Sequence, residues 1–388
     1  MHKVLKLNEI SGAVSDVFQS HGFELVKECK APDAIMLRSF DMHGYAVPES
    51  VLCVGRAGAG VNNIPTAEYA EKGIVVFNTP GANANAVKEL VLCALLLCGR
   101  KITDGIAWAQ SLAGKGAEVP KCVESGKKAF AGGEITGKTL GVVGLGAIGA
   151  RVANAAVELG MKVIGYDPYI SIDAAWTLNH NVQKETDLNA LLSKCDYVTL
   201  HIPYLPSTKG TINAETIAKM KDGANLINCS RGELAVNADV IAAIKSGKLN
   251  RYVTDFPCEE LLGIENIITI PHLGASTEEA EDNCARMAAQ EIVDFVENGN
   301  VTNSVNFPNC KSARSGKVRI TVFHKNVKNM ISSISDLIAK EGINIGSFNS
   351  QSGGSMAYTI LDLDENVPDA TVDKIRKLEN IVRVRVIK

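Results

Sequence analysis

Thr139-Leu140-Gly141-Val142-Val143-Gly144-Leu145-Gly146-Ala147-Ile148-Gly149, completed by Val163-Ile164-Gly165-Tyr166-Asp167, decides the fold of this chain. The apolar run predicts a β-strand ending at Gly144, and Gly144, Gly146 and Gly149 hold the three positions of a G-x-G-x-x-G turn. The first glycine permits the tight turn, the second lets the backbone approach a pyrophosphate, and the third lets helix pack closely on strand. Ala150 to Leu159 suits a helix whose first N–H groups would face phosphates. A second strand ends on Asp167, eighteen residues past Gly149. A carboxylate there accepts both ribose hydroxyls of an adenosine and repels a 2′-phosphate, which favours NAD over NADP.

The same alternation continues on both sides. Ala34-Ile35-Met36-Leu37, Val51-Leu52-Cys53-Val54-Gly55 and Ile74-Val75-Val76-Phe77 read as strands running into polar loops, the pattern of a parallel α/β sheet. Arg38 and Arg56 fall at two of those strand ends, where a guanidinium can fork onto a carboxylate or phosphate. Beyond Asp167, four more runs end in polar groups: Tyr197–Leu200 before His201-Ile202, Asn225–Asn228 before Ser230-Arg231, Tyr252–Thr254 before Asp255 and Glu259-Glu260, and Ile267–Ile270 before His272. In a parallel sheet, ligands collect beyond the carboxyl ends of the strands, so these groups would face the nucleotide if their strands join the sheet of Gly144. Hydride transfer from an alcohol needs a base for the hydroxyl proton, and a histidine titrates in the useful range. A carboxylate beside it would hold the imidazolium, and an arginine would orient a substrate carboxylate.

At 388 residues the chain is too long for one ordinary core. A net charge of −3 gives no basic footprint for nucleic acid. The run from Glu89 to Cys98 is far too short for a membrane span, and the N-terminus lacks a signal-peptide core, so a cytoplasmic protein is expected. The ten cysteines show neither C-x-x-C nor zinc spacing and read as reduced thiols, with no metal expected. Residues 307–317 read as a linker. The remainder, Val318–Val322, Val327–Lys340, Ile343–Phe348, Met356–Leu363, Val372–Leu378 and Ile381–Ile387, predicts β-α-β-β-α-β, a ferredoxin-like module.

These motifs resemble the D-isomer-specific 2-hydroxyacid dehydrogenases, on their phosphoglycerate branch with a C-terminal ACT domain. The resemblance rests on Gly55–Ile64, Asn78-Thr79-Pro80, the Gly144–Gly149 turn, Asn228–Gly232, Pro271–Thr277 and Asn303–Pro308. It implies two doubly wound parallel-sheet domains plus the ferredoxin-like ACT domain. A discontinuous substrate domain would take residues 1–98 and 285–308, the NAD domain 99–284 and the ACT domain 317–388. It implies Arg231, Glu260 and His272 as the catalytic set, Glu260 being favoured over Glu259 by its spacing from Asp255. Thr79, Gly144, Gly146, Ala147, Ile148, Gly149, Asp167, Ile202, Ser230, Asp255 and Gly274 would surround the cofactor. Arg38, Ser39, Arg56 and Gly58 would meet the substrate. The implied activity is NAD-dependent oxidation of 3-phospho-D-glycerate by a homodimer or homotetramer; a glyoxylate or hydroxypyruvate reductase and an NAD-sensing binding protein are the rival readings. Phe256-Pro257-Cys258 departs from the family's usual Asp-Val-Phe run while keeping its spacing. His324, Asn326 and Asn344 match the effector positions of serine-inhibited members, whereas the Pro-Gly of their turn is missing.

Overall fold

A computed structural model of the chain describes all 388 residues, in two compact units: Met1–Ala82 with Glu278–Lys388, and Asn83–Thr277. The first unit opens with five parallel strands, β1 (His2–Lys6), β2 (Phe23–Val26), β3 (Ala34–Leu37), β4 (Cys53–Arg56) and β5 (Val75–Phe77), in the order β2-β1-β3-β4-β5. The chain reverses direction across the sheet at β1 and β3, so the carboxyl ends of those strands form a crevice suited to a ligand. The helix Glu278–Asn298 lies against this sheet. Its alanine-rich stripe allows close approach: a Cβ on Gly55 of β4 would lie 2.7 Å from Ile292 Cδ1. Glu278, Glu279 and Glu281 place negative charge in the first turn, where the helix dipole favours it.

The second unit carries seven strands, β6 (Thr139–Val143), β7 (Lys162–Tyr166), β8 (Val182–Glu185), β9 (Tyr197–Leu200), β10 (Ala224–Asn228), β11 (Leu249–Thr254) and β12 (Ile267–Thr269). Their order is β12-β11-β10-β9-β6-β7-β8, with every pair parallel. The strands expected to share the sheet of Gly144 do so, and the reversal falls between β6 and β9. Register aligns the ends: Val143 pairs with Leu200, Leu200 with Asn228, Asn228 with Thr254 and Thr254 with Thr269.

The C-terminal module of the first unit has strands β13 (Val318–Lys325), β14 (Ile345–Gly353), β15 (Met356–Leu363) and β16 (Ile381–Ile387) in the antiparallel order β14-β15-β13-β16. That is the ferredoxin-like arrangement predicted by the β-α-β-β-α-β pattern. Helices Met330–Lys340 and Asp369–Arg376 cover one face of this sheet through Ile334, Ile338, Val372 and Ile375. On the other face Phe323, Met356, Tyr358 and Ile360 join the core of the five-stranded layer with Phe77, Phe295 and Phe307. The module therefore shares a core with the first sheet. Arg319, wholly buried, forks onto Asp362 at 2.6 and 2.7 Å and also donates to the carbonyls of Asn298 and Ser312. Arg383 donates to Val51 O, and Arg385 to the carbonyls of Phe295 and Val296. No helix is long and apolar enough to cross a membrane, and none of the ten cysteines is disulfide-bonded.

Glu291 gives this unit a pH signature. Its Oε1 accepts from Asn303 Nδ2 at 2.7 Å, while Oε2 is buried without a partner. Burial pushes this carboxyl up to about 8, against a bond from Asn303 that pulls it down. The folded state thus holds the proton more tightly than the unfolded chain. Its stabilising effect is full below the ordinary value of 4.5 and is lost as pH rises towards about 8. Glu291→Gln is expected to flatten that fall, gaining on the parent by a few kcal/mol, to order of magnitude, between pH 5 and pH 8. Denaturant unfolding of both proteins at the two pH values checks it; a pH-independent difference would show that Glu291 keeps its charge in the fold.

Candidate active site

The glycine turn of the second unit is built by contact. Gly144 sits at φ 93°, and a Cβ there would lie 2.6 Å from the carbonyl oxygen of His201. At Gly149 the added atom would fall 1.9 Å from Gly144 O, so the helix Gly149–Glu158 can start this close to β6 only with glycine. Gly146 has open space where its Cβ would be, and Gly146 and Ala147 are exposed while Ile148 is half-buried. Two glycines thus serve packing and one leaves room for a ligand. The first-turn N–H groups of the helix lack intrahelical acceptors and suit phosphate oxygens.

Asp167 follows β7 directly. Its Oδ2 accepts from Leu145 N and its Oδ1 from Tyr169 N, each at 2.8 Å, which fixes the carboxylate beside the turn. Each oxygen keeps a lone pair for a ribose hydroxyl. Open space at Gly146 and a fixed carboxylate at the end of the adjacent strand fit the pyrophosphate and adenosine ribose of NAD. Gly144 to Gly149, Asp167, Ile202 and Ser230 are the residues that would hold it.

Three adjacent strands carry the remaining groups. Beyond β10, Asn228 is fully buried and organises the turn: its side chain accepts from Ser230 N at 3.2 Å and donates to Arg231 O at 2.9 Å. Ser230 Oγ donates to Ile202 O at 2.7 Å, tying the ends of β10 and β9. Arg231 is exposed, with Nη1 donating to Ser230 O. Beyond β11, Asp255 is 1% exposed, and its Oδ1 is buried without a partner. Burial pushes its carboxyl up, opposed by the charge of His272, the N–H of Gly274 and the charge of Arg231. Glu260 is exposed on a short 3₁₀ turn, and its Oε2 accepts from Asn237 Nδ2 at 3.4 Å.

Beyond β12, His272 takes a left-handed backbone at φ 47°, uncommon for a non-glycine residue. Its N–H donates to Asp255 O at 3.0 Å and to Ile270 O at 2.9 Å, which pins the turn. The imidazole lies 4.8 Å from the Phe256 ring, centre to centre, and is exposed. Glu260 and His272 form no bond with each other here; Asp255 is the carboxylate whose charge interacts with His272. Cys229 is buried, with its thiol pushed well up by burial, as befits packing rather than nucleophilic attack. An exposed base, an arginine and a buried acid beside a dinucleotide turn can bind a carboxylate and accept a proton.

In the first unit, Arg38 follows β3 and Arg56 ends β4. Asn63 links them: its Oδ1 accepts from Arg56 Nε at 3.2 Å, and its Nδ2 donates to the carbonyls of Arg38 and Phe40 at 3.4 and 2.7 Å. Gly58 makes space for the Arg56 guanidinium, since a Cβ there would be 2.4 Å from Nη1. Ser39 is exposed, its Oγ accepting from Asn8 Nδ2 at 3.4 Å. Thr79 is fully buried, its N–H donating to Gly58 O.

Sequence reasoning named Asn228 and His201 only as members of strand-end runs, with no role of their own, and passed over Asn237. Asn228 was visible as a polar residue closing an apolar strand; nothing near Asn237 signals its contact with Glu260, distant in sequence. His201 is half-buried; desolvation of its ring pushes it down to about 4, and its Nε2 lies 3.0 Å from Thr199 Oγ1. The three effector positions are engaged inside the module. His324 is 3% exposed, with Nε2 at 3.0 Å from Thr359 Oγ1 and Nδ1 at 2.9 Å from Lys325 O. Asn326 donates to Gly354 O and Asn344 to Asp364.

Comparison with known proteins shows the family of the chain. Residues 94–274 match the model of the D-isomer specific 2-hydroxyacid dehydrogenase, NAD binding domain. The chain is 33% identical over 350 residues to the D-3-phosphoglycerate dehydrogenase of Haemophilus influenzae, covering 87% of this chain and 81% of that protein. It is 37% identical over 309 residues to the D-3-phosphoglycerate dehydrogenase of Methanocaldococcus jannaschii, covering 76% of this chain and 56% of that one. A similar enzyme from Synechocystis is 39% identical over 71% of this chain and 49% of its own length, so the chain spans about half the length of these last two relatives. Among solved structures, NAD+-bound 3-phosphoglycerate dehydrogenase of Entamoeba histolytica superposes with a TM-score of 0.60 at 28% identity, covering 79% of this chain and 98% of that one. D-2-hydroxyisocaproate dehydrogenase shares the fold, with a TM-score of 0.64 at 23% identity over 79% of this chain and all of that one. With its glycine turn, the acid at the end of β7 and the strand-end groups on one sheet, the chain belongs to the D-isomer specific 2-hydroxyacid dehydrogenase family, and its second unit is that family's NAD-binding domain.

Proposed function

We propose that the chain oxidises 3-phospho-D-glycerate to 3-phosphohydroxypyruvate with NAD, the entry step to serine. The observation that carries this reading is the set Arg231, Glu260 and His272 beyond the carboxyl ends of three adjacent strands, on the sheet that bears the glycine turn. NAD, when bound, supplies the hydride acceptor. His272 takes the hydroxyl proton as general base, Arg231 holds the substrate carboxylate, and Glu260, unbonded to His272 in this structure, is the carboxylate that would turn to the imidazolium, with Asp255 already acting on its charge. Arg38 and Arg56, linked through Asn63, supply positive charge for the anionic end, with Ser39 beside them. The names borne by the relatives support the phosphorylated substrate.

Two outcomes test this reading. The kcat/KM for 3-phosphoglycerate should exceed that for D-glycerate, D-lactate and D-2-hydroxyglutarate by about 10² or more, because charge-assisted bonds to the phosphoryl group are lost with the others. Equal or better turnover of an unphosphorylated acid would move the assignment to a general 2-hydroxyacid dehydrogenase. Asp167→Ala should lower the NAD-to-NADP ratio of kcat/KM by about tenfold, the worth of one charge-assisted hydrogen bond. An unchanged ratio would remove Asp167 from cofactor choice.

A further inference from the structure

We propose that Glu281 is a specificity residue that acts through Arg38, an internal anion that a phosphoryl group must displace. This inference rests on the proposed function and concerns only the first unit.

Glu281 stands in the first turn of the helix Glu278–Asn298, and its Oε1 lies 2.5 Å from Arg38 Nη1. The Arg38 and Glu281 side chains are partly open to water, at 37% and 43%. A buried pair would be a fixed strut; a half-exposed one is worth little to stability and exchanges partners readily. Elsewhere Arg38 is well held. Its backbone N–H donates to Asn8 Oδ1 at 2.9 Å, and its carbonyl accepts from Asn63, which also engages Arg56. The next acid, Asp282, already accepts from Ser11 Oγ and lies 3.8 Å from Arg286, so Glu281 is the helix-start carboxylate given to Arg38. The Cys284 thiol feels Arg38, Arg56 and Glu281 together, which places all three charges in one neighbourhood.

Two guanidiniums and one carboxylate form a cationic site that already holds a counter-ion. A phosphoryl dianion gains more from Arg38 than a carboxylate does and can take its place; a neutral hydroxymethyl group cannot. Glu281 resists that displacement by holding the Arg38 guanidinium. Its expected effect is therefore to weaken ground-state binding of the phosphorylated acid, leaving the chemistry of the second unit unchanged.

Glu281→Gln keeps the side chain's shape and leaves Glu278 and Glu279 at the helix start. It should lower KM for 3-phosphoglycerate by about three- to tenfold at low salt, with kcat unchanged and KM for D-glycerate moved much less. The gain should shrink as salt rises, and it should vanish when Glu281→Gln is made in an Arg38→Ala background. If the parent oxidises 3-phosphoglycerate but Glu281→Gln leaves its KM unchanged or raises it, this inference alone is overturned. If the gain survives Arg38→Ala, Glu281 does not act through Arg38 and the inference likewise falls. A parent with no turnover of 3-phosphoglycerate removes the proposed function and this inference together.

Discussion

His272→Ala is expected to lower turnover by about 10²- to 10⁴-fold, the usual contribution of a positioned acid–base group. The imidazole is exposed beyond β12, and its backbone is pinned by the bonds to Asp255 and Ile270. Removing the ring leaves those backbone bonds in place, so NAD binding should be nearly unchanged while turnover falls. His272→Asn should be as inactive as the alanine variant, because shape without a titrating nitrogen does not restore the base. Steady-state turnover, set beside fluorescence titration of NADH binding, separates the two effects. Turnover within about threefold of the parent, far short of an acid–base contribution, would remove His272 as the base.

Arg319→Ala is expected to destabilise the first unit by about 3–5 kcal/mol, the cost of leaving a buried charge unpaired. Arg319 and Asp362 are both fully buried, and the guanidinium also donates to the carbonyls of Asn298 and Ser312, so one side chain ties β13 and β15 to the end of the long helix. Burial pushes the Asp362 carboxyl up, but the bonds from Arg319 and Ser315 outweigh it and hold the group below the usual carboxylate range. The double variant Arg319→Met with Asp362→Leu should recover much of the loss, since an apolar pair leaves no orphaned charge. Denaturant midpoints of the three proteins check this, and a loss below about 1 kcal/mol for Arg319→Ala would mean that water or another cation replaces the arginine.

The strand-end rim was legible because each chemical group sits about one to six residues past an apolar run, and a parallel sheet gathers such positions at one edge. Strands β6, β9, β10, β11 and β12 announce themselves as runs rich in valine, leucine and isoleucine. Strand β8, Val182-Gln183-Lys184-Glu185, is a polar edge held by pairing with β7, and no periodicity reveals it. The strands β1 and β2 are equally faint, charged residues interrupting short apolar stretches. The start of the helix at Glu278 is hidden in the same way, because acidic residues at a helix start carry no apolar signal.

The C-terminal module was legible in its elements but not in its packing. Ile381–Ile387 alternates apolar and basic residues, and alternation alone cannot separate a solvent face from one whose arginines cap backbone carbonyls. Arg383 and Arg385 do the latter, on Val51 and on the last turn of the long helix. His324 shows the same limit. Its motif position suggests a ligand, whereas its side chain is buried in β13 and bonded to Thr359. Long-range contacts of this kind are decided by tertiary packing, which a local pattern does not encode.

That the strand-end groups carry out NAD-dependent oxidation is tested most directly by NADH formation, with the purified chain supplied with NAD and 3-phosphoglycerate. Sustained turnover that His272→Ala abolishes is the expected result. NAD binding without turnover of 3-phosphoglycerate or any D-2-hydroxy acid would contradict it and identify the chain as a nucleotide-sensing protein built on a dehydrogenase fold.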